Sequence, residues 1–224
     1  MAIDDTVILT ASHWNAVVDD AWFQEGHYRL AVTNDPVLDA DSNGWIPIGT
    51  IENWSYVASV WTNPLYRGGY RDDVSAQVIE ESLGIDPSDF GVLPEAGYLD
   101  TLQKNKTLKT TEVLVLGYGT EPKTIPANTG PAFADSNERR RAVLPTLALD
   151  KQSIHQNQNI GRGEAGACYG DSGGPSLITS GDTTYVVGVT STGDGPCFAT
   201  NVAGRVDTPT ALSWLATVRA AQQP

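Results

Sequence analysis

Short runs in which apolar and polar side chains alternate, or in which β-branched residues dominate, recur along this chain with turn residues between them. Thr6–Thr10, His27–Thr33, Trp45–Thr50, Tyr56–Trp61, Val74–Ile79, Thr111–Leu116 and Tyr185–Thr190 all read as strands by that alternation. Asn43-Gly44, Arg67-Gly68-Gly69 and Ser180-Gly181-Asp182 supply turn chemistry between runs. Two segments read as helical. Thr208-Pro209 offers an N-cap and a first-turn proline, with Leu212, Leu215 and Val218 following at spacings of three, which predicts a helix to about Ala220. Trp14–Phe23 reads as a turn or short helix, and the polar stretch Asp100–Lys109 as a crossing between two halves. Many short strands with few helices predict an all-β protein, a barrel or a sandwich.

Composition narrows the partners. The chain has 224 residues, enough to bury a real core in one large domain or two small ones. Fourteen basic residues against 27 acidic ones give a formal charge of −13. No nucleic-acid partner is expected, because phosphate binding needs a concentrated basic face and Arg139-Arg140-Arg141 is too short to provide one. No apolar run approaches the roughly 20 residues of a membrane helix. Met1-Ala2-Ile3-Asp4-Asp5 lacks the basic start and apolar stretch of a signal peptide. Cys168 and Cys197, the two cysteines, are too few for a thiolate zinc site and read as two buried thiols or one disulfide. Asp39-Ala40-Asp41-Ser42-Asn43-Gly44 opens like a calcium loop, but its twelfth position is Thr50 rather than Glu, so it reads as an acidic turn. No metal and no cofactor are expected.

Three motifs carry chemistry. In Gly170-Asp171-Ser172-Gly173-Gly174-Pro175 the glycines let the backbone turn sharply around a serine and aim amide N–H groups into one small space. A serine hydroxyl becomes a useful nucleophile only with a base to take its proton and donors for the developing oxyanion, here the Gly170 and Ser172 amides. Thr10-Ala11-Ser12-His13 ends a β-branched run and makes His13 the candidate base, whereas His27 in a strand pattern and His155 in a polar stretch read as structural. Asp72-Asp73 directly precedes the apolar alternation of Val74–Ile79. Asp73 is therefore the carboxylate expected to fix the histidine tautomer, with Asp72 the fallback.

On these residues the chain resembles the trypsin/chymotrypsin-like serine proteases. The order His13, Asp73, Ser172 matches theirs and differs from the subtilisin and α/β-hydrolase orders. Val113–Gly119, ending in Gly-Tyr-Gly, looks like an early strand of the family's second barrel. Gly188–Gly193 resembles the strand lining its substrate cleft, and Leu212-Ser213-Trp214-Leu215 resembles its carboxy-terminal helix. Cys168-Tyr169 before the serine loop is most like secreted bacterial members. The resemblance implies two antiparallel Greek-key β-barrels with a C-terminal helix: an N-terminal barrel over 1–103 carrying His13 and Asp73, and a C-terminal barrel over 104–224 carrying Ser172. It implies a serine endopeptidase, a secreted monomer acting on protein or peptide substrates, with no membrane partner. It also implies a Cys168–Cys197 disulfide between two pocket walls, a hydrogen bond from Ser191 near Asp73, and substrate backbone pairing at Gly193.

The departures shape the remaining expectations. Only 12 residues precede His13, so the first barrel reads as truncated at its start. Trp14 stands where many relatives carry a cysteine, and Asp171, which in activated relatives pairs with a freed amino terminus, needs another partner. The pocket base, six residues before the serine, is Gly166, followed by Ala167. With Gly193 and Gly204 as open walls and Thr192 replacing an aromatic, the expected preference is for a neutral or apolar side chain. Asp194 at the rim argues for a basic one instead. The competing class is a protease-like binding protein, or an inactive fragment, that performs no chemistry.

Overall fold

The structure, a computed structural model, describes residues 1–14, 30–39, 51–123, 132–134 and 137–222. The predicted all-β class is observed, as two curled antiparallel sheets that form paired half-barrels and a C-terminal helix. In the first sheet, β1 (Val7–Thr10), β2 (Ala31–Thr33), β3 (Trp54–Thr62) and β4 (Ser75–Ile79) lie in the order β1-β4-β3-β2. The second sheet contains β5 (Val113–Gly117), β8 (Arg140–Leu144), β9 (Thr146–Leu149), β10 (Ser153–Asn157), β11 (Pro175–Ser180), β12 (Thr183–Gly193) and β13 (Thr200–Arg205). Their order is β8-β5-β11-β12-β13-β10-β9. A separate hairpin pairs β6 (Glu121–Lys123) with β7 (Ala132–Ala134).

Alternation explains how the sheets bury their faces. Val7 and Leu9 point into one apolar cluster while Ile8 between them joins another, so β1 is covered on both sides. The cluster around Val7 also takes Val74, Ala76 and Val78 from the first sheet and Leu177, Val186 and Val189 from the second. One apolar cluster therefore spans both sheets and fixes how they face each other. Each Val or Leu side chain in it contributes roughly 1.5–3 kcal/mol on burial.

The two helices illustrate what local pattern can and cannot predict. The C-terminal segment is helical over Pro209–Ala220, with Thr208 Oγ1 accepting from Ala211 N at 3.2 Å, as its cap sequence predicts. Its buried face is Ala211, Leu215 and Val218, which joins the shared cluster through Leu215 and Val218. Asp100–Lys109 is more ordered than a plain crossing: α1 (Tyr98–Lys104) runs into it, and the C-terminal helix is α2. No side chain of its own caps α1. Its Leu99 amide donates instead to Asp207 Oδ2 at 2.8 Å, from far along the chain. Arg205, itself buried, binds both that Asp207 and Asp100 on α1.

Most other expected strands form with shifted ends. Of His27–Thr33 only Ala31–Thr33 is a described strand; His27, Trp45–Thr50, Asn43-Gly44, most of Trp14–Phe23 and the acidic turn after Asp39 lie outside the described residues. Among the described residues no helix is long and apolar enough to cross a membrane.

Candidate active site

His13 sits in a single 3-10 turn, Ser12–Trp14, immediately after β1, and Asp73 lies two residues before β4. Because β1 and β4 pair with Thr10 opposite Ser75, the two residues emerge side by side at the end of that ladder. Asp73 is fully buried and takes three donors. Its Oδ1 accepts from the His13 backbone amide at 2.8 Å, and its Oδ2 lies 2.7 Å from His13 Nδ1. Ser191 Oγ, on β12 of the other sheet, donates to the same Oδ2. A buried carboxylate so paired holds the imidazole with its proton on Nδ1 and leaves Nε2 as the acceptor. Asp72, the fallback, is engaged elsewhere. It adopts a left-handed backbone conformation, φ 53°, and accepts from Gln152 Nε2 at 2.7 Å across the sheets.

The serine loop precedes β11. Gly170 and Gly173 have φ of 94° and 89°, a region that favours glycine, and they turn the chain on either side of Ser172. The amide of Asp171 donates to the Cys168 carbonyl, that of Gly173 to Thr190 and that of Gly174 to Asp171. Among the described residues the Gly170 and Ser172 amides have no acceptor, so two N–H groups of this loop remain free for an incoming oxyanion.

Asp171 has partners that its neighbours in sequence do not announce. Its carboxylate accepts from the amides of Gly119 and Cys168, each at 2.8 Å. Burial pushes the carboxyl up from its ordinary pKa, and those two amides oppose the shift. The approach is close enough that a Cβ on Gly117 would fall 1.7 Å from Asp171 Oδ1, and one on Gly119 would fall 2.4 Å from its carboxyl carbon. The Gly-Tyr-Gly sequence after β5 thus wraps the aspartate that carries the serine.

A cavity of about 350 Å³ joins these parts, lined by His13, Ser172, Gly170, Ala167, Thr190 and Gly193 among others. Among the described residues no hydrogen bond joins Ser172 to His13; such bonds are often long without substrate and tighten when it binds. Trp14 links the two sides instead, donating from Nε1 to the Ser172 carbonyl at 2.9 Å. Cys168 and Cys197 form a disulfide with Cα atoms 5.4 Å apart, and both line the cavity. Tyr169 Oη reaches between the same two walls to the Gly195 carbonyl at 3.0 Å.

Not every expected pocket residue lies on this cavity. Ala167, Ser191, Thr192 and Gly193 do. Gly166 lines an adjacent cavity and is packed on Gln158, where a Cβ would come within 2.2 Å of Oε1. Gly204 pairs with Val189, and a Cβ on it would meet the Asp73 carbonyl at 3.2 Å. The residue opposite Gly193 is Asn201, and it lines the cavity where an open glycine wall is expected. Its signal in the sequence is slight: Asn201 is an amide two residues before the buried Ala203 in a short strand run. Asp194 lines the cavity too, but its carboxylate is occupied by the amides of Thr200, Phe198 and Ala199 and by Gln158 Nε2. Burial pushes its pKa up, and those four donors outweigh burial and hold it below the usual carboxylate range. His155, read as structural, lies 3.2 Å from Asp150 on the far side of Gln152.

The family model of trypsin matches residues 55–215, a span that contains Asp73 and Ser172 and begins after His13. No curated protein matches the sequence.

Proposed function

Since the chain belongs to the trypsin family, we propose that it is a serine endopeptidase in which His13, Asp73 and Ser172 act together. Ser172 Oγ attacks the peptide carbonyl as His13 Nε2 accepts its proton. The Gly170 and Ser172 amides hold the oxyanion of the tetrahedral intermediate, and His13 then protonates the leaving amine. Water, deprotonated by the same imidazole, hydrolyses the acyl-enzyme. Asp73 keeps the imidazole oriented throughout. The first sheet, within 1–103, supplies base and carboxylate; the second, within 104–224, supplies nucleophile, oxyanion donors and pocket. The substrates are proteins or peptides, with an uncharged residue preferred before the scissile bond, and a secreted monomer is the form in which the enzyme works.

The observation that carries this reading is that His13, held by the buried Asp73, lines the same cavity as a serine whose loop leaves two amides unpaired among the described residues. The competing reading is a binding protein without chemistry, and among the described residues Ser172 and His13 share the cavity without a hydrogen bond, which is compatible with either reading. Fluorophosphonate labelling located by mass spectrometry decides between them. The expected result is modification confined to Ser172, absent in Ser172→Ala and strongly slowed in His13→Ala. A folded sample that takes no label sinks the enzymatic reading.

A further inference from the structure

We propose that Asn201 makes the pocket beside Ser172 selective for an uncharged, hydrogen-bonding side chain, a carboxamide above all. This rests on the serine-protease reading and narrows its substrate class.

The pocket wall is backed by polar groups where a barrel interior is usually apolar. Asn201, Gln156 and Ser176 are all buried. Asn201 Nδ2 donates to Gln156 Oε1 at 2.6 Å, and Gln156 Nε2 donates to Ser176 Oγ at 3.2 Å. Register produces this ladder: Gln156 on β10 stands opposite Asn201 on β13, which stands opposite Gly193 on β12. The ladder commits one of the two Asn201 N–H groups and leaves its Oδ1 with no protein partner among the described residues. Were the ladder reversed through the Ser176 hydroxyl, the free group on the wall would be an N–H instead. A substrate carboxamide carries both a donor and an acceptor and so satisfies either polarity.

A second group on the same cavity points the same way. Thr190 lines it, and among the described residues Thr190 Oγ1 is buried without a hydrogen-bond partner. The cavity has no Leu, Ile, Val or Phe among its described lining residues, so an apolar side chain would gain little there and would strand the Asn201 carbonyl. A site built around buried polar groups discriminates strongly against ligands that cannot pair with them. The acidic Asp194 offers little to a basic side chain, because its oxygens are already taken by three backbone amides and Gln158.

The test separates the pocket from the chemistry. Binding of acetylated peptides ending in Gln, Leu or Arg to Ser172→Ala, measured by calorimetry, reads the pocket alone, while labelling of the unmodified protein reads the catalytic assembly. The expected result is at least about tenfold tighter binding of the Gln-ended peptide than of either other. That preference should be lost in Asn201→Leu and should move toward a Lys-ended peptide in the isosteric Asn201→Asp. Tighter binding of the Leu- or Arg-ended peptide, equal binding of all three, or no binding overturns the inference whether or not Ser172 takes the label. If Asn201→Leu does not fold, the Ser172→Ala ranking and Asn201→Asp still decide it.

Discussion

Asp73 and Asp171 both serve the same cavity, yet they gather different kinds of donor. Asp73 is held by an imidazole, by the amide of that histidine, and by a hydroxyl from the opposite sheet. Asp171 is held by two backbone amides alone, both from the half of the molecule that carries the serine. The pair of His13 and Asp73 is therefore set by the β1–β4 ladder of one sheet and completed by a hydroxyl brought across where the two sheets dock through their shared apolar cluster. The nucleophile side is assembled by a local loop wrapping around its own aspartate. The first depends on how side chains meet across an interface, and the second depends on two positions having no side chain at all.

The largest effect should come from the interface side. Asp73→Asn keeps the shape but presents an amide to His13 and favours the wrong tautomer, so kcat should fall about 10⁴-fold. Steady-state kinetics on a peptide substrate check this, and a loss below tenfold would remove Asp73 from the triad. Next is the loop side. Gly119→Ala puts a methyl group where the Asp171 carboxyl lies, so the aspartate must move and the Gly170 amide with it. A loss of about 10²–10³ in kcat, with KM little changed, is expected for one oxyanion donor. An equal loss confined to KM would show that the loop positions substrate rather than the oxyanion.

Trp14→Phe sharpens the comparison by cutting the hydrogen bond that joins the two sides while keeping an aromatic ring. A two- to tenfold fall in kcat, about 1 kcal/mol, matches one neutral hydrogen bond. The smallest effect concerns the turn behind Asp72. Burial raises the Asp150 pKa, but the Gln152 amide, the Ser153 hydroxyl, His155 and the Ser153 amide outweigh it and bring it from 3.8 down to about 2. A carboxylate with a depressed folded pKa stabilises the protein above its unfolded pKa and ceases to do so as the pH falls through the folded value. The Tm difference between the unmodified protein and Asp150→Asn should therefore be present at about pH 5 and shrink toward pH 2. A gap that widens on acidification would reverse the assignment.

This contrast also explains what the sequence made legible. The serine loop and His13 can be read locally, because glycines around a serine and a histidine ending a β-branched run are short-range signals. The all-β class and α2 follow from alternation and from Thr208-Pro209, and the division into two sheets follows from the family resemblance. What stayed hidden depends on register between distant strands. Asn201 stands opposite Gly193 because the β12–β13 ladder slips between Thr190 and Thr192; counting along the chain from the Thr190–Ala203 pair sets Thr200 there instead. The start of α1 was hidden for a similar reason, since its missing cap is supplied by Asp207, 108 positions away from Leu99. The Asp171 partners were hidden because backbone amides leave no mark in a sequence.

Trp14 has a practical consequence. Its indole N–H is bonded to the carbonyl of the very residue proposed to become acylated, and its ring is 41% exposed at the cavity. Acylation of Ser172, as proposed, would change the polarity and packing around that ring, so the protein carries an intrinsic fluorophore beside the residue proposed to react. A stopped-flow emission change on acylation that is present in the unmodified protein and absent in Trp14→Phe assigns the signal to Trp14 rather than to the other five tryptophans and reports the covalent intermediate with no added dye.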